Sequence, residues 1–405
     1  MSFIKRHMTR DVILTLLFGG LTLLLLLVPT GFEQRLQRDS LSCRGRVIEV
    51  DNSEVKQVGI VKIGFQSVDL ELVSGRFKGR EVRGINQLLG KMEMDKLFSP
   101  GDSALVVLTL DEAGGIIGVN PQDHYRLDLE LLLFGLFAAL LLVFGGFTGA
   151  RALMSFVFSA LMIWKVLIPA FLKGYDPILV SLAVMAILTA AIIFMVAGLT
   201  RKGYVAFLGS MAGIVAAGIL SLVFTSSFHL HGAIKPFAET LLYTGFGHLN
   251  LGRILSAAVF IGCSGAMMDL AMDVSASIDE ISFRAGDISR RELIVSGLRV
   301  GRAVVGTMTT TLLFAYSGGY ITLLMVFMAQ GVPLTNLFNI IYVAAEIMNT
   351  LVGSFGLVLV APFTAIIGGL VHGRGKRAAA VPDLAGEGGD DRAEGGKPLA
   401  SPAGP

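Results

Sequence analysis

Gly262-Cys263-Ser264-Gly265-Ala266-Met267-Met268-Asp269-Leu270-Ala271-Met272-Asp273 reads as a transmembrane helix approaching its end. The small residues of its first half let neighbouring helices approach closely. Its second half sets two carboxylates in or beside hydrocarbon, where a charged side chain is costly and ordinarily faces a cavity, a partner or an ion path. With Asp269 as the zero of a helical wheel, Gly262, Gly265, Asp273, Ala276 and Glu280 fall within about 40° of it. One stripe therefore carries glycines first and acids second, while Asp279 falls off it. Asp269 is the deepest of these acids. Asp273, Asp279 and Glu280 also fit a stripe that emerges into water.

The rest of the chain agrees with a multi-pass membrane protein. Of its 405 residues 53% are hydrophobic and 16% charged, and the mean hydropathy is +0.71; soluble domains carry more charge. Lys5, Arg6 and Arg10 precede an apolar run from Val12 to Val28, read as an uncleaved signal anchor over residues 1–30. Seven further spans are expected near Leu129–Phe147, Ala152–Phe171, Pro177–Leu199, Tyr204–Phe224, Ile254–Asp273, Val304–Ala329 and Leu351–Val371, within a domain covering 127–373. Gly318 and Gly319 offer a break point in the seventh span, which would raise the count to nine or ten. With eight spans, Arg151, Arg201, Lys202, the arginines from Arg284 to Arg302, and Arg374, Lys376 and Arg377 all fall in the cytoplasm. Both termini are then cytoplasmic. The Gly-, Ala- and Pro-rich residues 374–405 read as a disordered tail.

Residues 31–126 are then extracytoplasmic. Runs at Arg46–Val50, Ile60–Phe65, Val68–Val73, Glu81–Ile85, Ala104–Leu110 and Ile116–Val119 read as strands, with Asn86–Phe98 as a short helix or crossover. Short strands in so few residues suit a small barrel of OB or SH3-like type, or a sandwich-like spacer.

Other polar residues qualify as candidates. Arg302 enters the seventh span ahead of Thr307, Thr309, Thr310 and Thr311. The arginine suits a partner of Asp269 or Asp273, or a side chain snorkelling to the interface. The threonines suit a polar path, or hydroxyls bonded back to their own helix. Glu346 and Asn349, with Asn339 and Thr350, suit one face of an amphipathic helix ahead of the last span. Gly262-Cys263-Ser264-Gly265 has the Gly-x-Ser-Gly pattern of intramembrane serine proteases. The histidine that follows it, His372, lies at the far end of the last span, so Ser264 reads as a packing residue. His229, His231 and His248 are a weak metal signal in an external loop. Lys165 reads as a snorkelling lysine. Cys43 and Cys263 are too far apart to suggest a disulfide, and neither a nucleotide-binding loop, a haem motif nor a nucleic-acid pattern occurs.

Gly265-Ala266-Met267-Met268-Asp269-Leu270-Ala271-Met272 with Glu280-Ile281, Gly301-Arg302, Gly306-Thr307-Met308-Thr309 with Leu312 to Tyr316, and Gly353-Ser354 through Leu357, Val358, Leu359, Pro362 and Thr364 resemble the YibE/F family of bacterial membrane proteins. The resemblance takes in most of the chain, the β-domain included. Asp273 and Thr310 depart from it where serine or asparagine-like residues are expected. It implies a multi-pass plasma-membrane protein and names neither substrate nor catalytic residue.

Two functions are expected. One is a secondary transporter or permease of a small solute or ion, without a cofactor. Asp269, Asp273, Arg302, Thr307, Thr309, Thr311, Glu346 and Asn349 would form its site, and Gly262 and Gly265 its close helix packing. The other is a non-transporting envelope assembly protein that works through its β-domain. No enzyme activity is expected. The bilayer is the expected surrounding, and the small-residue faces also suit a homodimer.

Overall fold

The computed structural model describes residues 2–32, 40–285 and 287–373; the tail read as disordered lies outside them. The chain is mainly helical, with one antiparallel sheet near its N-terminus. Helix α1 covers Ser2–Leu27. Strands β1 (Ser40–Asp51), β2 (Val55–Val58), β3 (Val61–Leu72), β4 (Glu81–Leu89), β5 (Ser103–Leu110) and β6 (Ile116–His124) follow.

Their order is β2-β3-β1-β5-β6, with β4 also paired to β3. The sheet curls so that its two ends approach: a Cβ on Gly84 of β4 would lie 2.8 Å from Pro121 of β6. Alternate residues Val68, Leu70, Leu72, Ala104, Val106 and Leu108 fill the interior with Phe98, as the two-residue period of strands requires.

Two sequence expectations change here. Ile60–Phe65 and Val68–Val73 belong to one strand, because the polar residue that interrupts the apolar pattern, Gln66, points inward and is fully buried. Its amide donates to Phe98 O (2.9 Å) and Asn52 Oδ1 (2.8 Å). Its Oε1 accepts from Phe98 N (3.0 Å) and Asn86 Nδ2 (3.1 Å), so the buried amide is satisfied. For the same reason Asn86 continues β4 as an inward residue rather than opening a helix.

Among the described residues six helices are long and apolar enough to cross a membrane: Leu127–Leu172, Pro177–Ala197 (α4), Arg201–Ser227 (α5), Leu251–Ala285 (α7), Arg290–Ala329 (α8) and Ile341–His372 (α10). The first comprises α2 (Leu127–Met162), a π-helical turn at Ile163–Leu167 and α3 (Ile168–Leu172). Short helices α6 (Ala238–Tyr243) and α9 (Leu334–Asn339) lie in the connections.

Leu127–Leu172 is not one rod. A straight α-helix would separate Phe134 from Phe156 by about 33 Å, yet their ring centroids are 6.5 Å apart, and Phe137 and Phe156 are 5.7 Å apart. The chain reverses at Gly146, whose φ of 51° and ψ of −128° are non-helical and favour glycine. Just beyond it a Cβ on Gly149 would lie 2.1 Å from Leu141 O. The runs Leu129–Phe147 and Ala152–Phe171 are therefore two arms of a hairpin. The second arm returns to α1, where Lys165 Nζ donates to Val28 O at 3.0 Å. That bond satisfies a carbonyl at the helix C-terminus.

Asp176 caps α4 through the backbone N–H groups of Ile178 and Leu179 and pairs with Arg253 at 2.6 Å. In the core α5, α7 and α10 approach at glycines. A Cβ on Gly213 would lie 2.1 Å from Val360 Cγ2, and one on Gly356 would lie 2.1 Å from Met267 Cε. The helix of the last expected span starts well before Leu351, at Ile341, so Glu346 and Asn349 belong to α10 itself and not to a separate interfacial helix.

Candidate functional site

Helices α7 and α8 run antiparallel with α10 behind them, and their glycines fix the register. A Cβ on Gly297 would lie 2.7 Å from Ile278, one on Gly301 3.7 Å from Val274, and one on Gly262 3.0 Å from Tyr316 Oη. Counting along both helices from the Val274–Gly301 contact, Asp273 is level with Arg302 and Asp269 with Gly306.

The stripe expected on α7 exists and faces outward. Gly262, Gly265, Asp269, Asp273, Ala276 and Glu280 are all exposed, while Cys263, Met267, Leu270, Ala271 and Val274 between them are buried. A Cβ on Gly265 would meet nothing within 4 Å. Asp269 and Asp273 thus stand on the lateral surface of the chain and not inside the bundle.

Arg302 is exposed as well. Although Val274 and Gly301 touch, none of Asp269, Asp273 and Arg302 enters an ion pair among the described residues. The threonine hydroxyls bond to their own helix. Thr307 donates to Val304 O (2.9 Å), Thr309 to Val305 O (3.0 Å) and Thr311 to Thr307 O (3.1 Å).

A second polar cluster lies at the other end of the same seam. Glu346 accepts from Lys235 Nζ at 2.5 Å and from Asn349 Nδ2 at 3.2 Å. Asn349 is 7% exposed, and among the described residues its Oδ1 has no hydrogen-bond partner. One turn further along α10, Gly353 makes room for Tyr316: a Cβ there would lie 3.5 Å from the ring. Tyr316 Oη is also buried without a partner among the described residues. Sequence reasoning found Glu346 and Asn349 and missed Lys235 and Tyr316. Lys235 sits 111 residues from its carboxylate, and Tyr316 looks like one more apolar residue of a span.

Ser264 donates to Ile261 O at 2.7 Å. His372 Nδ1 lies 3.5 Å from Asp279, which is about 22 Å along α7 from Ser264. The two cannot act as nucleophile and base. Among the described residues no three of His, Cys, Asp and Glu gather as a metal site.

These elements define the class: a helical membrane protein with an antiparallel β-domain after its first helix. The family model for YibE/F-like proteins matches residues 133–374, and the chain belongs to that family. The matched segment holds the helices from α2 onward and leaves α1 and the β-domain outside it, a narrower extent than the motifs implied. Neither the curated proteins nor the solved structures include a match.

Proposed function

We propose that this chain is a secondary permease of a small solute or ion in the bacterial plasma membrane. The observation that carries the reading is the α7–α8–α10 seam. It has a carboxylate station at each end, Asp269 with Asp273 on its lateral surface and Glu346 with Asn349 among the helices. Between them stands the Tyr316 hydroxyl, which has no hydrogen-bond partner among the described residues. Buried polar groups left unpaired are uncommon and suit a place that a passing ion or hydroxyl fills in turn. The topology that fits is eight spans: α1, the two arms around Gly146 and the five further apolar helices. Every basic cluster then faces the cytoplasm, both termini are cytoplasmic and the β-domain is outside. The pairing of β3 with both β1 and β4, the pairing of β5 with β1 and β6, and the approach of β4 to β6 favour an OB-type barrel.

Proteoliposomes loaded with a pH-sensitive dye, or assayed for sodium entry, test this reading. Flux is expected to be abolished in Asp269→Asn and reduced in Tyr316→Phe. Equal flux in wild type and Asp269→Asn would remove Asp269 from the path, and no flux in the wild type would remove proton and sodium as the coupling ions.

A second reading, a partner-binding envelope protein, draws on the β-domain. Ile63 and Leu89, paired across β3 and β4, lie with Phe65 and Ile85 on one outward face, and the last two are 46% and 59% exposed. Such a patch is typical of a docking surface. A partner captured by wild type and lost in Phe65→Lys, with ion flux absent, would favour this reading.

A further inference from the structure

We infer that a second copy of this chain covers the α7 stripe, so that Asp273 of each copy pairs with Arg302 of the other. This stands whether or not the chain transports anything. The ion pair of Arg253 with Asp176 marks one edge of the apolar part of α7. Asp273 comes twenty residues later, about 30 Å along the helix, so Asp269 lies about 6 Å inside a hydrocarbon layer of that thickness. Lipid cannot hydrogen-bond a carboxylate, so the lateral surface bearing Asp269 requires a polar cover.

The surface is built for close approach. Ala258, Gly262 and Gly265 precede the acids as an exposed line of small residues, which is how helices come together without a hydrophobic drive in lipid. From Gly265 to the acids, the facing levels of α8 are also small and exposed, with Ala303, Gly306, Thr307 and Thr310 beside Arg302. A Cβ on Gly306, like one on Gly265, would meet nothing within 4 Å.

The charges select the occupant. Asp273 and Arg302 are level with each other, both exposed, and unpaired within the chain among the described residues. All copies insert with the same orientation, so a two-fold axis relating two of them is normal to the membrane and keeps every residue at its depth. An isologous contact then sets acid opposite arginine twice over. It also places the second copy's Gly306 and Thr307 opposite Asp269.

Co-expression of two differently tagged full-length chains in a bacterial membrane tests this. Wild-type chains are expected to co-purify. Asp273→Arg paired with itself, and Arg302→Asp paired with itself, lose that co-purification because like charges then face each other. Asp273→Arg paired with Arg302→Asp recovers it, since both contacts are again opposite in sign. Undiminished co-purification of either self-pair, or no recovery in the mixed pair, overturns the inference. If a charge variant fails to reach the membrane, the decision falls to Gly265→Cys on one chain and Thr310→Cys on the other, both lacking Cys43 and Cys263. A disulfide-linked species that requires both chains supports the contact, and its absence under oxidation overturns it.

Discussion

The Lys235–Glu346 pair gives the sharpest energetic test of the candidate site. At 2.5 Å two unit charges attract by about 6–7 kcal/mol at an effective dielectric constant near 20. The Glu346 side chain is 21% exposed and that of Lys235 38%, so desolvation of the acid and the freedom of the lysine cancel most of this. A net coupling of about 1–2 kcal/mol remains. Lys235→Met is expected to cost about 2–3 kcal/mol, because it leaves a largely buried carboxylate with only Asn349 as a neighbour. Glu346→Gln costs less, because an amide tolerates burial. The double variant should be no worse than Lys235→Met alone. Thermal midpoints at fixed scan rate in detergent read all three, with a shift of roughly 2–4 °C per kcal/mol for a bundle of this size. Additive effects, within about 0.3–0.5 kcal/mol, would refute the coupling and with it the view that this cluster is one electrostatic unit.

Three further outcomes are expected. Gly213→Leu forces a side chain into Val360, and overpacking of about 1–3 kcal/mol or more should appear as a lower melting point and a poorer yield of folded protein; an unchanged melt would mean that α5 and α10 are not in close contact. Gln66→Leu strands the N–H and C=O of Phe98 and should destabilise the β-domain by about 2–4 kcal/mol, seen as lost hydrogen-exchange protection in β3 and β4 while the helices keep theirs. In the β-domain, hydrogen bonding to Arg83 holds Asp69 below the usual carboxylate range, and hydrogen bonding to Arg126 does the same for Asp123. Because both folded values are lowered, their contribution is present above the unfolded pKa of about 4 and is lost as pH falls through the folded values. Hydrogen exchange should therefore show the β-domain opening on acidification below about pH 4, and less steeply in Asp69→Asn.

The sequence made the helices legible because a bilayer leaves little choice: each long apolar run can satisfy its backbone only as a helix. The reversal between the second and third spans was legible too, since Leu129–Phe171 is far too long for one crossing and Arg151 interrupts it; its turn at Gly146, inside the expected second span, was not. The β-domain was harder to read. Gln66 and Asn86 are polar residues in its interior, held by Phe98, and any pattern that equates polar with outward breaks there. The site divides in the same way. The stripe of Gly262, Gly265, Asp269 and Asp273 follows from helical period alone and was found whole. Its direction did not follow, because period says which residues share a face and not what that face meets. The pairing of Lys235 with Glu346 depends on a loop folding back over α10, which no local pattern encodes.

The β-domain is carried between two apolar helices, α1 and α2, and is therefore held at both ends. Arg44 of β1 pairs with Asp128 in the first turn of α2, and its guanidinium also lies over the Tyr125 ring, 5.1 Å from the centroid. A domain on one tether samples a hemisphere; a domain leashed twice and latched at its base samples a small cap. A ligand bound by this domain would be delivered to the same few square nanometres of the helix bundle at an effective concentration on the order of millimolar. Weak binding by the β-domain would then be enough to keep that face of the bundle occupied.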